Sequence, residues 1–363
     1  MNTALVIGGT GPTGHFLVNG LRARGFKVAI LHRGNHEVDE IPDDVEHIHV
    51  DPHFRETLAG GIEGRTFDVT LATYGRTRLT AEVLAGRTGR FISVSGVTYR
   101  SIVRSDLDRP RGGVVPVGET DPQPSEEEHP FVFKIAETER AVLRLHPEAT
   151  VFRYPYVYGP YQVVPREWMI LRRFLDGRET LILPEGGLTL STHGYAGNVA
   201  AAVLAAVDRP KESAGQTYNC GDERQYTLRQ VAEIIAEEVG WAGEILSAPA
   251  ASGAMRCFLT RGRIDHRVFD LMKVRTELGY RDVTPPKEAI ARTARWYVAN
   301  RPEPGGQIEQ ALADPFDYAA EDRLAEIIRR SVAEMTAAAP ATVERAHAYA
   351  HPTRPGEADH RGR

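Results

Sequence analysis

The stretch Val6-Ile7-Gly8-Gly9-Thr10-Gly11-Pro12-Thr13-Gly14-His15-Phe16 decides the fold. A glycine stands at positions 8, 11 and 14, between an apolar run typical of a strand and a segment with helical periodicity. In that context glycines permit a sharp turn, close approach of a pyrophosphate and tight packing of helix on strand, while the helix N-terminus attracts phosphate. A glycine-rich turn without a ligand is the alternative. The spacing predicts a dinucleotide-binding loop with six contact residues: Gly8, Thr10, Gly11, Pro12, Thr13 and Gly14.

Short apolar and β-branched runs alternate with helical segments along the first half of the chain. The predicted buried strands cover residues 5–7, 28–31, 47–50, 69–72, 91–94 and 151–154. Strands separated by crossover helices indicate a parallel sheet covered on both faces. We therefore predict an α/β protein, a Rossmann-type doubly wound parallel sheet with a smaller C-terminal substrate lobe.

The expected organisation has four parts. Residues 1–160 form the NAD(P)-binding domain, to which residues 190–225 return, and residues 161–300 form mainly the substrate lobe. Residues 301–337 are expected as a helical extension, and the composition of residues 338–363 predicts a disordered tail. The polar stretch 101–129 is long for a loop and is expected to cover the site.

Composition excludes several classes of protein. The 363 residues are 42% hydrophobic and 26% charged with a net charge of -5, so no basic field attracts nucleic acid or anionic lipid. The two cysteines, Cys220 and Cys257, form neither a disulfide framework nor a metal-ligand spacing. No apolar stretch reaches the roughly 20 residues of a membrane span. We expect a cytoplasmic protein without a metal, nucleic-acid or membrane partner.

The end of the second predicted strand indicates which dinucleotide is bound. An acidic residue there would bind the ribose of NAD, whereas Arg33 would pair with the 2′-phosphate of NADP. Asp51, after the third strand, is placed at the adenine, although an Asp-Pro turn explains it equally well. Ala72 and Tyr154, at the ends of two further strands, are placed at the cofactor because ligands bind at that edge. A solvated arginine at a strand end is the alternative for Arg33.

Further motifs follow in order along the chain. They are Asp68-Val69, Phe91-Ile92-Ser93-Val94-Ser95, Arg153-Tyr154-Pro155-Tyr156-Val157-Tyr158-Gly159-Pro160, Asn219-Cys220-Gly221 and Glu277-Leu278-Gly279-Tyr280. With the glycine loop, they resemble the extended short-chain dehydrogenase/reductases, the NAD-dependent epimerase/dehydratase family, from about residue 3 to about residue 300. The resemblance implies that Ser95 binds the reacting oxygen, Lys134 the ribose, and Pro155 lies beside the nicotinamide.

The sequence departs from this family at the catalytic tyrosine. The family's Tyr-x-x-x-Lys motif would place it four residues before Lys134, where Pro130 stands, followed by Phe131. Tyr99, four residues after Ser95, is the leading substitute proton donor, and the other candidates are Tyr74, Tyr156 and His129. His193 is expected to be structural, and the series Tyr154, Tyr156, Tyr158 and Tyr161 either lines the core or borders the site.

The sequence as a whole predicts an NADP-dependent oxidoreductase acting on a carbonyl or secondary alcohol of a small organic substrate, with a non-standard proton donor. The catalytic residues would be Ser95, Tyr99 and Lys134. Alternatives are a non-redox nucleotide-binding protein and a lyase or isomerase that reuses the pocket. The resemblance also implies a homodimer formed by helices at residues 77–84 and 134–145.

Overall fold

A computed structural model describes residues 2–34, 38–107, 112–343 and 351–363. The chain divides into two units, Met1–Phe316 and Asp317–Arg363. The first unit contains every described strand and all but one of the described α-helices.

The strands of the first unit are β1 (Thr3–Ile7), β2 (Lys27–His32), β3 (Glu46–His49), β4 (Phe67–Ala72), β5 (Thr88–Ser95), β6 (Thr150–Arg153), β7 (Tyr156–Tyr158), β8 (Thr180–Pro184), β9 (His193–Tyr195), β10 (Thr217–Asn219) and β11 (Glu244–Ala248). Seven of them form a parallel central sheet, in the order β10-β6-β5-β4-β1-β2-β3. The six predicted strands are confirmed, each within three residues at either end. The predicted doubly wound parallel sheet is therefore confirmed.

Helices cover both faces of this sheet. The described α-helices of the whole chain are α1 (Gly14–Ala23), α2 (Arg55–Gly61), α3 (Thr77–Leu84), α4 (Arg100–Val103), α5 (Pro130–Leu145), α6 (Arg166–Leu175), α7 (Ala196–Asp208), α8 (Pro210–Ser213), α9 (Leu228–Val239), α10 (Met272–Glu277), α11 (Pro286–Ala299), α12 (Gln307–Leu312) and, in the second unit, α13 (Tyr318–Ala338). Thr227 and Gln230 cap α9 reciprocally, as their spacing predicts.

Burial explains why the central strands form. Ala4 to Ile7 of β1 are fully buried, because β1 has neighbours on both sides and helices above and below. Alternate residues of β1 enter two different hydrophobic cores. Ala4 and Val6 pack in the same core as Leu17 of α1. Leu5 and Ile7 pack in the core that contains Leu84 of α3. A strand buried on both faces needs the uninterrupted apolar run that the sequence shows.

The four tyrosines that follow β6 do not form one strand. The backbone leaves the central sheet after Arg153, and β7 pairs instead with β9 in a separate two-stranded sheet. Pro155 lies at this break and packs against Gly194 and Gly221, where an added Cβ would come within 3.3 and 3.5 Å of its Cγ. The third sheet, β8 with β11, belongs to the later part of the unit.

The polar stretch 101–129 is anchored by specific contacts in its described parts, 101–107 and 112–129. The Arg100 guanidinium pairs with Glu128 at 2.7 Å, and the Glu119 carboxylate accepts a hydrogen bond of 2.8 Å from the Asn219 amide. Val117 forms a bridge with Phe269. The segment is thus fixed against β10 and the chain that precedes α10.

The second unit consists of α13 and the residues after it. Its described residues beyond Ala338, 339–343 and 351–363, contain no helix or strand. Among the described residues, no helix of either unit is both long enough and apolar enough to cross a bilayer.

Candidate dinucleotide site

Each glycine of the loop between β1 and α1 has the geometry that its predicted role requires. Gly8 has φ +92°, and a Cβ there would lie 2.4 Å from the Tyr74 Cβ. Gly14 packs so closely that a Cβ would lie 2.0 Å from the Gly9 carbonyl oxygen. Gly11 faces open space, with only the Gly8 oxygen at 3.6 Å from its added Cβ. The loop therefore turns at Gly8, packs at Gly14 and leaves its backbone accessible at Gly11.

The first turn of α1 is suited to binding an anion. Thr13 precedes the helix, and its side chain forms no cap to the first-turn amides. The helix N-terminus therefore keeps the partial positive charge that favours phosphate. Burial raises the pKa of the Tyr154 hydroxyl well above its ordinary value, and the Thr13 side chain faces this hydroxyl. Tyr154 thus packs under the loop from the end of β6. The partly exposed residues of the loop are Gly8, Thr10, Gly11 and Pro12.

His15 is a residue of this site that the sequence did not indicate. It is 6% exposed, its ring contacts Phe16 at 4.0 Å, and its Nδ1 has no hydrogen-bond partner in the described part of the chain. Burial lowers the pKa of His15, so its imidazole is neutral near pH 7. Its position directly after Gly14 is the only sequence signal that could have drawn attention to it.

Four side chains lie close together at the Gly8 end of the loop: Arg33, Asp51, His53 and Tyr74. The Arg33 guanidinium is exposed and lies 5.9 Å from the centre of the Tyr74 ring. Asp51 accepts hydrogen bonds from the backbone amide and Nδ1 of His53, at 2.9 and 2.7 Å, which hold the pKa of Asp51 below its usual value. The cation predicted to bind the 2′-phosphate thus stands beside an aromatic face and a carboxylate.

A cleft of about 560 Å³ opens at the ends of β4 and β5. Its walls include Thr73 and Tyr74 after β4, Ser95 and Gly96, and Ile135 and Thr138 of α5. Ala72, the last residue of β4, is buried between Ile7 and Ser93 of the neighbouring strands. The Ser95 Oγ is buried and, within the described residues, has no hydrogen-bond partner. A buried hydroxyl without a partner costs about 1–3 kcal/mol, so a ligand oxygen at this position would satisfy it.

Tyr99 is enclosed in a polar network away from solvent. Its side chain is fully buried, and its hydroxyl donates to the Asn219 Oδ1 and accepts from the Arg153 Nη1 at 3.0 Å. Burial raises the pKa of Tyr99 to about 12. Arg153 in turn pairs with Glu139 at 2.8 Å, both side chains being 6% exposed. These contacts argue against the proton-donor role predicted for Tyr99. They favour a structural role for this side chain.

Two of the other predicted substitutes, His129 and Tyr156, are also engaged. His129 caps α5, since its Nδ1 accepts from the Val132 amide at 3.3 Å. The Tyr156 hydroxyl accepts from the Arg166 amide at 2.7 Å and contacts Glu167 at 2.9 Å. Tyr74 is 40% exposed but lies at the Arg33 end of the cleft. Pro130 occupies the position of the family tyrosine, the neighbouring Phe131 is 65% exposed, and Lys134 is exposed on the next turn of α5.

A second, smaller cavity of about 60 Å³ lies in the later part of the unit. His193 lines it together with Arg166 and Arg267, and its ring lies 5.3 Å from that of Tyr156. Burial, and then the positive charge of Arg166, lowers the pKa of His193 to about 4. Because Gly194 packs on Pro155, this histidine is close to the predicted nicotinamide side. The structural role of His193 stays a prediction.

The titration of His193 should make stability depend on pH. Its pKa is about 4 in the folded chain and 6.5 in the unfolded one. The unfolded state therefore binds the proton first, so this contribution to stability is complete above about pH 6.5 and is lost as the pH falls toward 4. Urea unfolding should show a smaller loss of stability over this range in His193→Gln than in the wild type.

The control for this prediction is His351→Gln, which changes an exposed histidine of the second unit. It should follow the wild-type pH profile. The opposing titration of Asp222, whose pKa burial raises to about 6, cancels in the comparison because every variant retains it. Parallel profiles for His193→Gln and the wild type would contradict the prediction.

Solved structures with this fold include epimerases and dehydratases. A UDP-glucose 4-epimerase from Thermotoga maritima, solved with UDP-glucose, aligns with a TM-score of 0.65 at 19% identity, over 82% of this chain and 99% of that one. A dTDP-glucose 4,6-dehydratase from Streptomyces venezuelae, solved with NAD, aligns with a TM-score of 0.61 at 20% identity, over 82% and 98%.

The curated relatives differ in how much of the chain they match. A UDP-D-apiose/UDP-D-xylose synthase from Oryza sativa subsp. japonica is 31% identical over 38% of this chain, and a 3-diazoavenalumate denitrifying reductase from a Streptomyces species is 25% identical over 77%. The match covers 36% of the synthase and 96% of the reductase. A mitochondrial NADH dehydrogenase subunit from Arabidopsis thaliana is matched over only 25% of its length. No protein-family model matches the sequence.

The fold and the glycine loop define a doubly wound α/β protein of the dinucleotide-binding type. The structural neighbours and the relatives confirm the predicted resemblance to the extended short-chain dehydrogenase/reductases of the epimerase/dehydratase type. The names of these neighbours are predominantly those of enzymes, which supports the prediction that this chain is an enzyme.

Proposed function

We propose that this chain binds NADP(H) and is an oxidoreductase acting on a carbonyl or secondary alcohol of a small organic molecule. The observation that carries the proposal is the loop from Gly8 to Gly14, which packs tightly at both outer glycines and leaves Gly11 open. The cofactor, when bound, would supply or accept the hydride. The name of the Streptomyces reductase, the relative matched over 96% of its length, supports a redox reaction.

Arg33 is proposed to select NADP(H) over NAD(H). Its exposed guanidinium follows β2 directly, and no acidic residue occupies position 32 or 33 to bind ribose hydroxyls. Asp51, held by His53, is proposed to contact the adenine, with the Tyr74 ring beside it. The structural neighbours solved with NAD support a nicotinamide dinucleotide in general, and the preference for the phosphorylated form rests on Arg33.

Arg33→Ala is expected to remove the preference for NADP+. A charge-assisted contact with the 2′-phosphate is worth about 1.5–3 kcal/mol, so the Kd for NADP+ should rise about 10- to 150-fold while that for NAD+ changes little. Calorimetric titration of both dinucleotides measures this. Arg229→Ala, which removes an arginine of α9 whose side chain is 40% exposed, is the control and should leave both affinities unchanged. Equal wild-type affinities for the two dinucleotides would refute the assignment.

Ser95 is proposed to hydrogen-bond the reacting oxygen, and Lys134 to hold the ribose. Ser95 qualifies because its buried hydroxyl is directed at no protein partner among the described residues and lines the cleft. Since Tyr99, Tyr156 and His129 are engaged in other hydrogen bonds and Tyr74 lies at the Arg33 end of the cleft, we infer that the proton reaches the reacting oxygen from water in the cleft. Pro155, fixed by two glycines, is proposed to border the nicotinamide.

Tyr99→Phe should change stability more than turnover. Removing the hydroxyl leaves the buried Arg153 and Asn219 groups short of a partner, at a cost of about 1–3 kcal/mol in unfolding free energy. The turnover number of the folded protein should stay close to that of the wild type. Ser95→Ala should behave oppositely, with a loss of about 10²-fold in turnover and little change in stability. Turnover that falls 10²-fold or more in Tyr99→Phe would restore its catalytic assignment.

A second candidate function is non-redox binding of the nucleotide. The observation that favours it is Pro130 with the exposed Phe131 at the position of the family's proton donor. Tight NADP(H) binding without hydride transfer to any carbonyl or alcohol would support this function over the first.

Two further expectations stay predictions: cytoplasmic location, and a homodimer formed through α3 and α5. The exposed apolar side chains of α5 are Phe131 and Leu145, at opposite ends of the helix.

A further inference from the structure

Three histidines meet where β2 and β3 end. His32 is the last residue of β2, and His47 and His49 belong to β3. The parallel register sets His32 beside His49 and Ile30 beside His47. Because residues two apart on a strand share a face, the His-x-His pattern of β3 directs both of its imidazoles to the side on which His32 lies.

The distances between these side chains are those of a ligand set. The His32 Nε2 lies 3.1 Å from the His47 Nδ1, and one ring nitrogen from each of the three histidines lies within 4.8 Å of the others. Two nitrogens bound to one tetrahedral Zn²⁺ stand about 3.3 Å apart, given bonds of about 2.0–2.1 Å. The first pair is thus already at ligand spacing, and the nitrogens that are up to 4.8 Å apart must approach one another by at most about 1.5 Å.

Two imidazole nitrogens 3.1 Å apart share one proton in a hydrogen bond. If both presented lone pairs, they would repel, so one must carry a proton that it donates to the other. The Gly34 amide donates to the His32 Nδ1 at 3.2 Å, which places the His32 proton on Nε2, directed at His47. A metal ion can take the place of that shared proton.

We propose that His32, His47 and His49 bind one divalent transition-metal ion of the Zn²⁺ type. Imidazole nitrogens suit zinc, copper, cobalt and nickel, whereas magnesium and calcium prefer oxygen ligands. Three protein ligands leave a fourth position open to water or to another ligand. The graded exposure of the set, from buried His32 to exposed His49, gives an ion a path from solvent.

The site lies next to Arg33 in the chain. Binding an ion through Nε2 moves the His32 proton to Nδ1, so the Gly34 amide must give up its bond of 3.2 Å. Gly34 has φ +77°, a conformation that glycine adopts without strain, and its backbone is therefore able to reorient. The metal would tie the edge strand β3 to β2 independently of the nucleotide.

Cobalt titration tests the proposal without any assay of activity. We expect one Co²⁺ per chain, with the visible absorption of tetrahedral nitrogen ligation and displacement by an equivalent of Zn²⁺. His49→Ala changes the exposed ligand and His47→Gln a half-buried one, and each should weaken binding at least about tenfold. His351→Ala, which removes an exposed histidine of the second unit, should bind cobalt as the wild type does.

The variants must first show the circular dichroism spectrum and metal-free melting temperature of the wild type. His49→Ala is the variant expected to keep the wild-type fold, because an exposed side chain contributes least to folding. Absence of the tetrahedral spectrum in the wild type, or unchanged cobalt affinity in both cluster variants, would overturn the proposal. The second outcome would assign any bound ion to histidines elsewhere on the surface.

Discussion

Gly14→Ala is expected to disable the dinucleotide loop. The added Cβ would lie 2.0 Å from the Gly9 oxygen and 2.3 Å from its carbonyl carbon, and both are backbone atoms that no side-chain rotation can move. Helix α1 must therefore shift away from β1, at a cost of about 3 kcal/mol in unfolding free energy. The displaced loop should bind NADP+ more than about tenfold more weakly.

Two other glycines provide controls for this prediction. Gly60→Ala adds a methyl group to α2 where nothing lies within 4 Å, so NADP+ affinity should stay at the wild-type value and stability should not fall. Alanine in place of a helical glycine should raise the unfolding free energy by up to about 1 kcal/mol. Gly11→Ala meets only the Gly8 oxygen at 3.6 Å and should keep the wild-type stability, while its methyl group obstructs the approach of the pyrophosphate. Urea unfolding and calorimetry separate the two effects. Wild-type stability and affinity in Gly14→Ala would show that the loop is not built as described.

Glu139→Ala is expected to destabilise the chain by about 3–5 kcal/mol, because it leaves the Arg153 guanidinium buried without its carboxylate. The pair joins α5 to the end of β6 through hydrogen bonds of 2.8 and 3.1 Å. The same helix offers a matched control in the exposed pair of Glu137 and Arg140. Glu137→Ala should cost less than about 1 kcal/mol, as solvated pairs do.

Equilibrium unfolding in urea measures both variants. Replacing both buried partners, as in the double variant Glu139→Leu with Arg153→Met, should recover much of the loss, since an apolar pair leaves no buried charge. A Glu139→Ala cost no larger than that of Glu137→Ala would contradict the account of how α5 is held against the sheet.

The fold was predictable because its signals are local. The strands of the central sheet are buried on both faces and therefore appear as apolar runs, and the glycine spacing fixes the turn from β1 into α1. The capping box that marks the start of α9 spans only four residues, Thr227 to Gln230. None of these features depends on contacts between distant parts of the chain.

The chemistry of the site was harder to predict because it depends on such contacts. Tyr99 has the spacing of a site residue, but its hydroxyl meets Asn219, 120 positions later in the sequence, and Arg153. The histidine cluster arises from the register of β2 with β3, which joins His32 to residues about fifteen positions away. The sequence pattern of strands 47–50 and 28–31 does not reveal that register.

The most direct test of the central claim is a crystal structure of the chain with NADP+ bound. We expect the pyrophosphate on the backbone of the loop from Gly8 to Gly14, the 2′-phosphate on Arg33, and the nicotinamide beside Pro155 and Ser95. A dinucleotide bound elsewhere on the chain, or no binding at millimolar NADP+, would contradict the account.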